Sequence, residues 1–162
     1  WQKFREDLPQ GFRMWAVESA LHLGRNQDAE ATARALLDSQ VAESRHSDRK
    51  EEIARAQVLL AQTLAMQGRG PEARTILDPA VAYYRGRQRL DGSGAEFTSR
   101  MARALYVQAL IEPDEAAGRA KAQAALAEAT ELLESLSGEV KELRPTRDLT
   151  GWISAEVTKR RQ

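Results

Sequence analysis

The side chains best equipped for chemistry are few and scattered. His22 and His46 are the only imidazoles. Neither has a second His or a Cys at ligand spacing, so both read as surface or edge residues and no metal site is expected. The chain has no Cys, which rules out thiolate chemistry and a disulfide framework. Ser93 stands in Gly92-Ser93-Gly94, a loop without the Gly-x-Ser-x-Gly pattern of a nucleophile elbow or the Lys of a phosphate loop. The carboxylates of Glu51-Glu52, Asp114-Glu115 and the run from Glu139 to Glu142 lie at helix starts, where they complement the helix dipole; their spacing singles out no acid–base pair. Arg85-Gly86-Arg87-Gln88-Arg89, just after Tyr83-Tyr84, offers guanidinium groups for phosphate or an acidic peptide. The preferred reading of this cluster is a solvated helix end, with its cations near the C-terminus. Lys159-Arg160-Arg161 reads as a terminal charge run. The expectation is a protein that is not an enzyme and takes no cofactor or metal.

These residues must be carried by helices. In 162 residues, 24 basic side chains balance 24 acidic ones. A neutral total lacks the basic footprint of a nucleic-acid binder. No apolar run reaches the roughly 18 residues of a membrane span. Ala, Leu, Glu, Arg and Gln dominate, aromatic residues are 6%, and no stretch alternates strictly enough for a strand. One all-α domain over 1–162 is expected, a size that buries roughly 70% of the unfolded surface. The start at Trp1 rather than Met reads as a piece of a larger protein. The expected compartment is cytoplasmic, or periplasmic where an upstream signal or anchor has been removed.

Along the chain, Trp1, Phe4 and Leu8 share a helical face that Pro9 ends. A first helix from Phe12 to Leu23 is expected to bury Phe12, Trp15, Ala16, Ser19, Ala20 and Leu23, with Gly24 as its stop and Asn26 as cap of the next helix. The second helix uses Ala29, Ala33, Leu36, Leu37 and Val41 as its inner stripe. A third, capped by Ser47 or Asp48, runs to Gln67. Gly68-Arg69-Gly70-Pro71 then turns the chain into a fourth helix with Ala73, Ile76, Leu77, Ala80, Val81 and Tyr84 in phase. Pro79 interrupts that helix, and the continuing stripe favours a kink over a restart at Asp78. After the loop at Asp91–Gly94, a fifth helix carries Phe97, Met101, Ala104, Leu105 and Leu110. A sixth carries Ala116, Ala120, Ala124, Ala127, Leu132, Leu133 and Leu136. A closing amphipathic segment turns Leu149, Trp152, Ile153 and Val157 one way, with Glu156 and Lys159 to Arg161 facing others.

The turns recur. Gly24 and Gly68 are 44 residues apart, as are Ala29 and Ala73, and Ala61 and Leu105. The third turn aligns best with Ala116 against Ala73, a step of 43. Equivalent places hold Arg13, Ala16, Val17, Ala20, Ala29 and Ala33; Gln57, Leu60, Ala61, Leu64, Ala73 and Leu77; and Met101, Ala104, Leu105, Gln108, Ala116 and Ala120, and among them the small residues agree best. This pattern resembles the tetratricopeptide repeat family, W-x2-L-G-x2-Y followed by a turn and A-x3-F, although its large aromatics and closing Pro are missing. The family's usual period is about 34 residues; a longer one implies an extended variant, like those of kinesin light chains and bacterial regulatory proteins.

The resemblance implies a right-handed α-solenoid of antiparallel helix pairs, six to eight helices in all, with units near 12–45, 47–91 and 95–137 and a cap at 139–162. In the cap, Trp152 is expected to lie as a lid on the sixth helix. A generic helix bundle is the alternative. The resemblance further implies that the first helix of each pair lines a groove for a peptide or a neighbouring domain. The groove places hold Met14, Glu18, Leu21 and His22; Arg55, Val58, Gln62 and Met66; and Ala102, Tyr106, Ala109 and Leu110. The expected partner is a protein or peptide, with no nucleic acid and no membrane. Self-association as a homodimer, or a ligand-sensing region of a kinase or transcription regulator, is the alternative.

Overall fold

The computed structural model describes residues 10–44, 49–91 and 94–160; of 10, 11 and 89–91 it describes the backbone alone. The stripe of Trp1, Phe4 and Leu8, the candidate caps Ser47 and Asp48, His46, Gly92-Ser93 and Arg161 lie outside these residues. Eight helices and no strand occur among them: α1 Gln10–His22, α2 Asn26–Glu43, α3 Lys50–Met66, α4 Gly70–Asp91, α5 Ala95–Ile111, α6 Ala116–Glu134, α7 Gly138–Glu142 and α8 Arg144–Arg160. The chain divides into two compact units, Trp1–Tyr83 and Tyr84–Gln162, the division falling within α4. α4 runs unbroken through Pro79 and does not restart at Asp78.

In the first unit α2 packs on both α1 and α3, and α1 also touches α3. Its two turns are the same object twice. Gly24 and Gly68 have φ of 67° and 76°, the left-handed region that glycine enters without a Cβ penalty. The Arg25 N–H donates to the Ala20 carbonyl at 2.8 Å and the Gly24 N–H to Leu21 at 3.0 Å. Forty-four residues on, Arg69 donates to Leu64 at 2.9 Å and Gly68 to Ala65 at 3.0 Å. This Schellman pattern satisfies carbonyls that the end of a helix would otherwise orphan.

The buried stripes keep the same interval. Met14, Val58 and Ala102 are buried, as are Val17, Ala61 and Leu105. On the second helices, Ala29, Ala33, Leu36 and Gln40 are matched 44 residues later by Ala73, Leu77, Ala80 and Tyr84, all buried. On α6 the matching buried positions are Gly118, Ala122, Ala125 and Ala129, a step of 45 rather than the expected 43. The cause is local. The third turn spans Glu112–Glu115, one residue longer than 23–25 and 67–69. It has no left-handed glycine and brings the Pro113 ring against Gly118, where a Cβ would collide with the Pro113 carbonyl.

Two inner stripes expected from periodicity are therefore rotated. On α6, Ala116, Ala120, Ala124 and Ala127 are exposed, while Gly118, Ala122, Ala125, Leu126, Ala129 and Leu133 are buried. An alanine-rich helix is apolar on every side, so alanine spacing does not select a face; Leu126 and Leu133, with more area to bury, do. On α1, Met14, Val17 and Leu21 form the core, and Phe12, Trp15 and Leu23 face outward. Val41 of α2 is exposed as well, and Gln40 is buried in its place. Asn26 is the first residue of α2 rather than its cap; Arg25 flanks the helix without a side-chain capping bond.

In the second unit α5 packs on α6, and α8 packs along α6, touches α5 and meets α7. α8 thus relates to α5 and α6 as α3 relates to α1 and α2. Leu149 and Ile153 are its buried anchors.

Candidate functional site

The twelve groove positions separate by exposure. Met14 and Leu21 on α1, Val58 and Gln62 on α3, and Ala102 and Tyr106 on α5 are buried. Glu18 and Arg55 are half-buried, and His22 and Met66 are exposed. Surface is retained by Glu18, His22, Arg55 and Met66 in the first unit and by Leu110 in the second. Ala109 is buried and Leu110 half-buried. α3 and α5 are buried over most of their circumference, so a position facing away from the paired helix is not thereby exposed.

Around the second turn lies a charged cluster that spacing alone did not reveal. Glu30 of α2 accepts from Arg69 at 2.8 Å, from Arg34 at 2.9 Å and from Gln67 at 2.9 Å. Glu72 accepts from Arg34 and Arg69, each at 2.5 Å. Burial alone would raise the Glu30 carboxyl, but the hydrogen bonds from Gln67, Arg34 and Arg69 outweigh it and hold the group below its usual range. Hydrogen bonds from Arg34 and Arg69 likewise lower Glu72. Glu30 therefore clamps the turn of the following helix pair, a role beyond complementing its own helix dipole. The signal available in sequence was Glu30-x3-Arg34 facing Arg69-x2-Glu72, two i,i+3/i+4 pairs of opposite charge order.

The second unit has a different cluster at its C-terminal helix. The Arg160 guanidinium donates to the Ala109 carbonyl at 2.8 Å and to Glu112 at 3.3 Å, and it pairs with Glu156 at 2.6 Å. Its side chain is only 6% exposed. Arg160 is thus a buried cation set on the last carbonyls of α5, where the helix dipole favours positive charge, not part of a solvated charge run. Glu156, expected on an outward face, is buried beside it. Trp152 stacks on Tyr106 of α5, centroids 6.2 Å apart and planes at 24°, and Arg103 stands 5.7 Å from the ring. Burial, reinforced by the Glu156 charge and opposed by Arg103, pushes the Tyr106 hydroxyl up to about 12, which keeps it neutral and unsuited to act as a base near neutral pH.

One arginine of the α4 cluster, Arg85, is drawn into packing too. Arg85 forms a bidentate pair with Glu128 of α6, one bond at 2.6 Å. Tyr84 is fully buried, edge-on to Phe97 with centroids 5.6 Å apart. Among the described residues, no group of three His, Asp or Glu side chains stands where it could hold a metal ion, and no helix is long and apolar enough to cross a membrane. Compared with known proteins, the chain matches no family model, no curated protein and no solved structure.

Proposed function

We propose that the chain is a helical repeat module of tetratricopeptide type that acts by binding another protein, without catalysis of its own. The observation that supports this most is the recurrence, 44 residues apart, of the Gly24 and Gly68 turns with the same donors and acceptors and the same buried stripes. A unit that cannot bury its apolar face alone stacks on its neighbours and presents a continuous surface of first helices. In the first unit that surface consists of Glu18 and His22 on α1 with Arg55 and Met66 on α3, a mixture of charge, imidazole and thioether suited to a peptide of mixed polarity.

Photo-crosslinkers at His22, Arg55 and Met66 test the reading against the same groups at Asp38 of α2 and Glu131 of α6. Capture of one protein from the first set alone, lost in Arg55→Glu with helicity intact, is the expected result. Equal capture from both sets, or a partner held unchanged by Arg55→Glu, refutes it. Gln62 and Tyr106 are poor probes because a charge at either buried position would unfold the helix that carries it.

A further inference from the structure

We infer that α4 is a hinge, bending between Pro79 and Gly86 so that the two units move as separate bodies. The chain passes from one unit to the other within this helix, between Tyr83 and Tyr84. Each half is tied on its own side. Ala73, Leu77 and Ala80 are buried in the half that belongs to the first unit. In the other half, Tyr84 is buried edge-on to Phe97, and Arg85 holds Glu128 through two hydrogen bonds. Both of these ties lie within the second unit.

The backbone is weakest where the division falls. Pro79, in the interior of α4, has no N–H, so the Thr75 carbonyl one turn back loses its helical partner. Gly86, on the far side of the division, lowers the cost of leaving helical geometry, because its backbone regains more freedom than that of alanine. Nothing in the packing requires a glycine there. A Cβ at Gly86 would meet no atom within 4 Å, and its φ is not in the left-handed region. Gly118, by contrast, is held to glycine by the Pro113 carbonyl.

Thr75, Pro79, Ala82 and Gly86 follow one another at helical spacing and share one side of α4. That side is open: Thr75, Pro79 and Ala82 are exposed, and Gly86 is half-buried. The buried stripe of Leu77, Ala80 and Tyr84 runs along the other side. A helix bends convex towards water because carbonyls on its wet side tilt out and their hydrogen bonds lengthen. Here the wet side already carries a carbonyl without a helical partner, and bending along it leaves the buried stripe in place.

The chain has no Cys, so Asp38→Cys on α2 and Glu131→Cys on α6, both exposed, take spin labels in the full chain at one point in each unit. The expected distribution of label-to-label distances is broader than label rotamers alone allow, and Pro79→Ala with Gly86→Ala narrows it. Amides from Val81 to Arg85 should exchange with deuterium about fivefold more slowly in Gly86→Ala. Gly151→Ala is the control: this helical glycine of α8 is equally open to a Cβ but lies inside the second unit, so the distances should not change. One narrow distance in the natural sequence overturns the inference. So does a breadth that the double variant leaves alone, equal narrowing in Gly151→Ala, or exchange that Gly86→Ala does not slow. None of these outcomes touches the surface of Glu18, His22, Arg55 and Met66, so the binding reading stands or falls separately.

Discussion

The two units build one helix arrangement and close it with opposite chemistries. In the first, both turns are Gly-centred and three residues long, and the second is held by a partly exposed clamp of Glu30, Arg34, Arg69 and Glu72. In the second, the turn is one residue longer, stiffened by Pro113 against Gly118, and a buried arginine from α8 bonds the carbonyls that end α5. Exposed ion pairs contribute little because water screens them and long side chains lose freedom in making them. A buried arginine whose removal strands a buried carboxylate is another matter. The difference predicts unequal sensitivities at places that look alike in sequence.

The largest effect should come from Arg160→Met. It leaves buried Glu156 with only the exposed Lys159, 3.9 Å away, and frees two carbonyls, at a cost of about 3 kcal/mol. Urea unfolding would show it, and a Glu156→Gln, Arg160→Met double variant should recover part of the loss. Additivity of the two single changes would break the picture of a coupled pair. Next is Gly118→Ala, about 2 kcal/mol, because the new methyl has nowhere to go but into Pro113. Gly24→Ala and Gly68→Ala should each cost about 1 kcal/mol, the penalty for a Cβ in the left-handed region. Their near-equality is the sharper point, since unequal losses would mean that the two turns are not equivalent.

The smallest effect is the acid response of the clamp. Glu30 and Glu72 have folded-state values held below the usual 4.5. A lowered carboxyl contributes stability above its unfolded value and loses it as pH falls through the folded one. Stability should therefore drop on acidification below about pH 4.5. Glu30→Gln with Glu72→Gln should flatten that limb, and salt should shrink it at neutral pH; an unchanged acid limb would remove the clamp from the comparison.

Much of this architecture was legible in the sequence. The turns at Gly24 and Gly68 announce themselves because only glycine takes the left-handed conformation cheaply, and the α4 stripe reads correctly because Leu77 and Tyr84 are bulky enough to pick a side. The faces of α1 and α6 were not legible, for two reasons. α1 offers two apolar stripes of equal period, and α6 is alanine on all sides. Size favoured Phe12 and Trp15 for the core, yet Met14, Val17 and Leu21 occupy it. The roles of Glu156 and Arg160 were hidden because the carbonyls that Arg160 bonds belong to the end of α5 and the turn after it, some fifty residues earlier in the chain, beyond the reach of any local pattern.

That distance has a consequence for the order of events in folding. Nearly all contacts that build each helix pair close over a turn of three or four residues, which chain entropy makes fast. The bond from Arg160 to the Ala109 carbonyl spans 51 residues and requires α5, α6 and α8 to be in place together. Docking of α8 should be the late step. Kinetically, Arg160→Met should then speed unfolding while leaving the refolding rate nearly untouched, a φ-value near zero. Gly118→Ala, acting at the hairpin that forms first, should instead slow refolding.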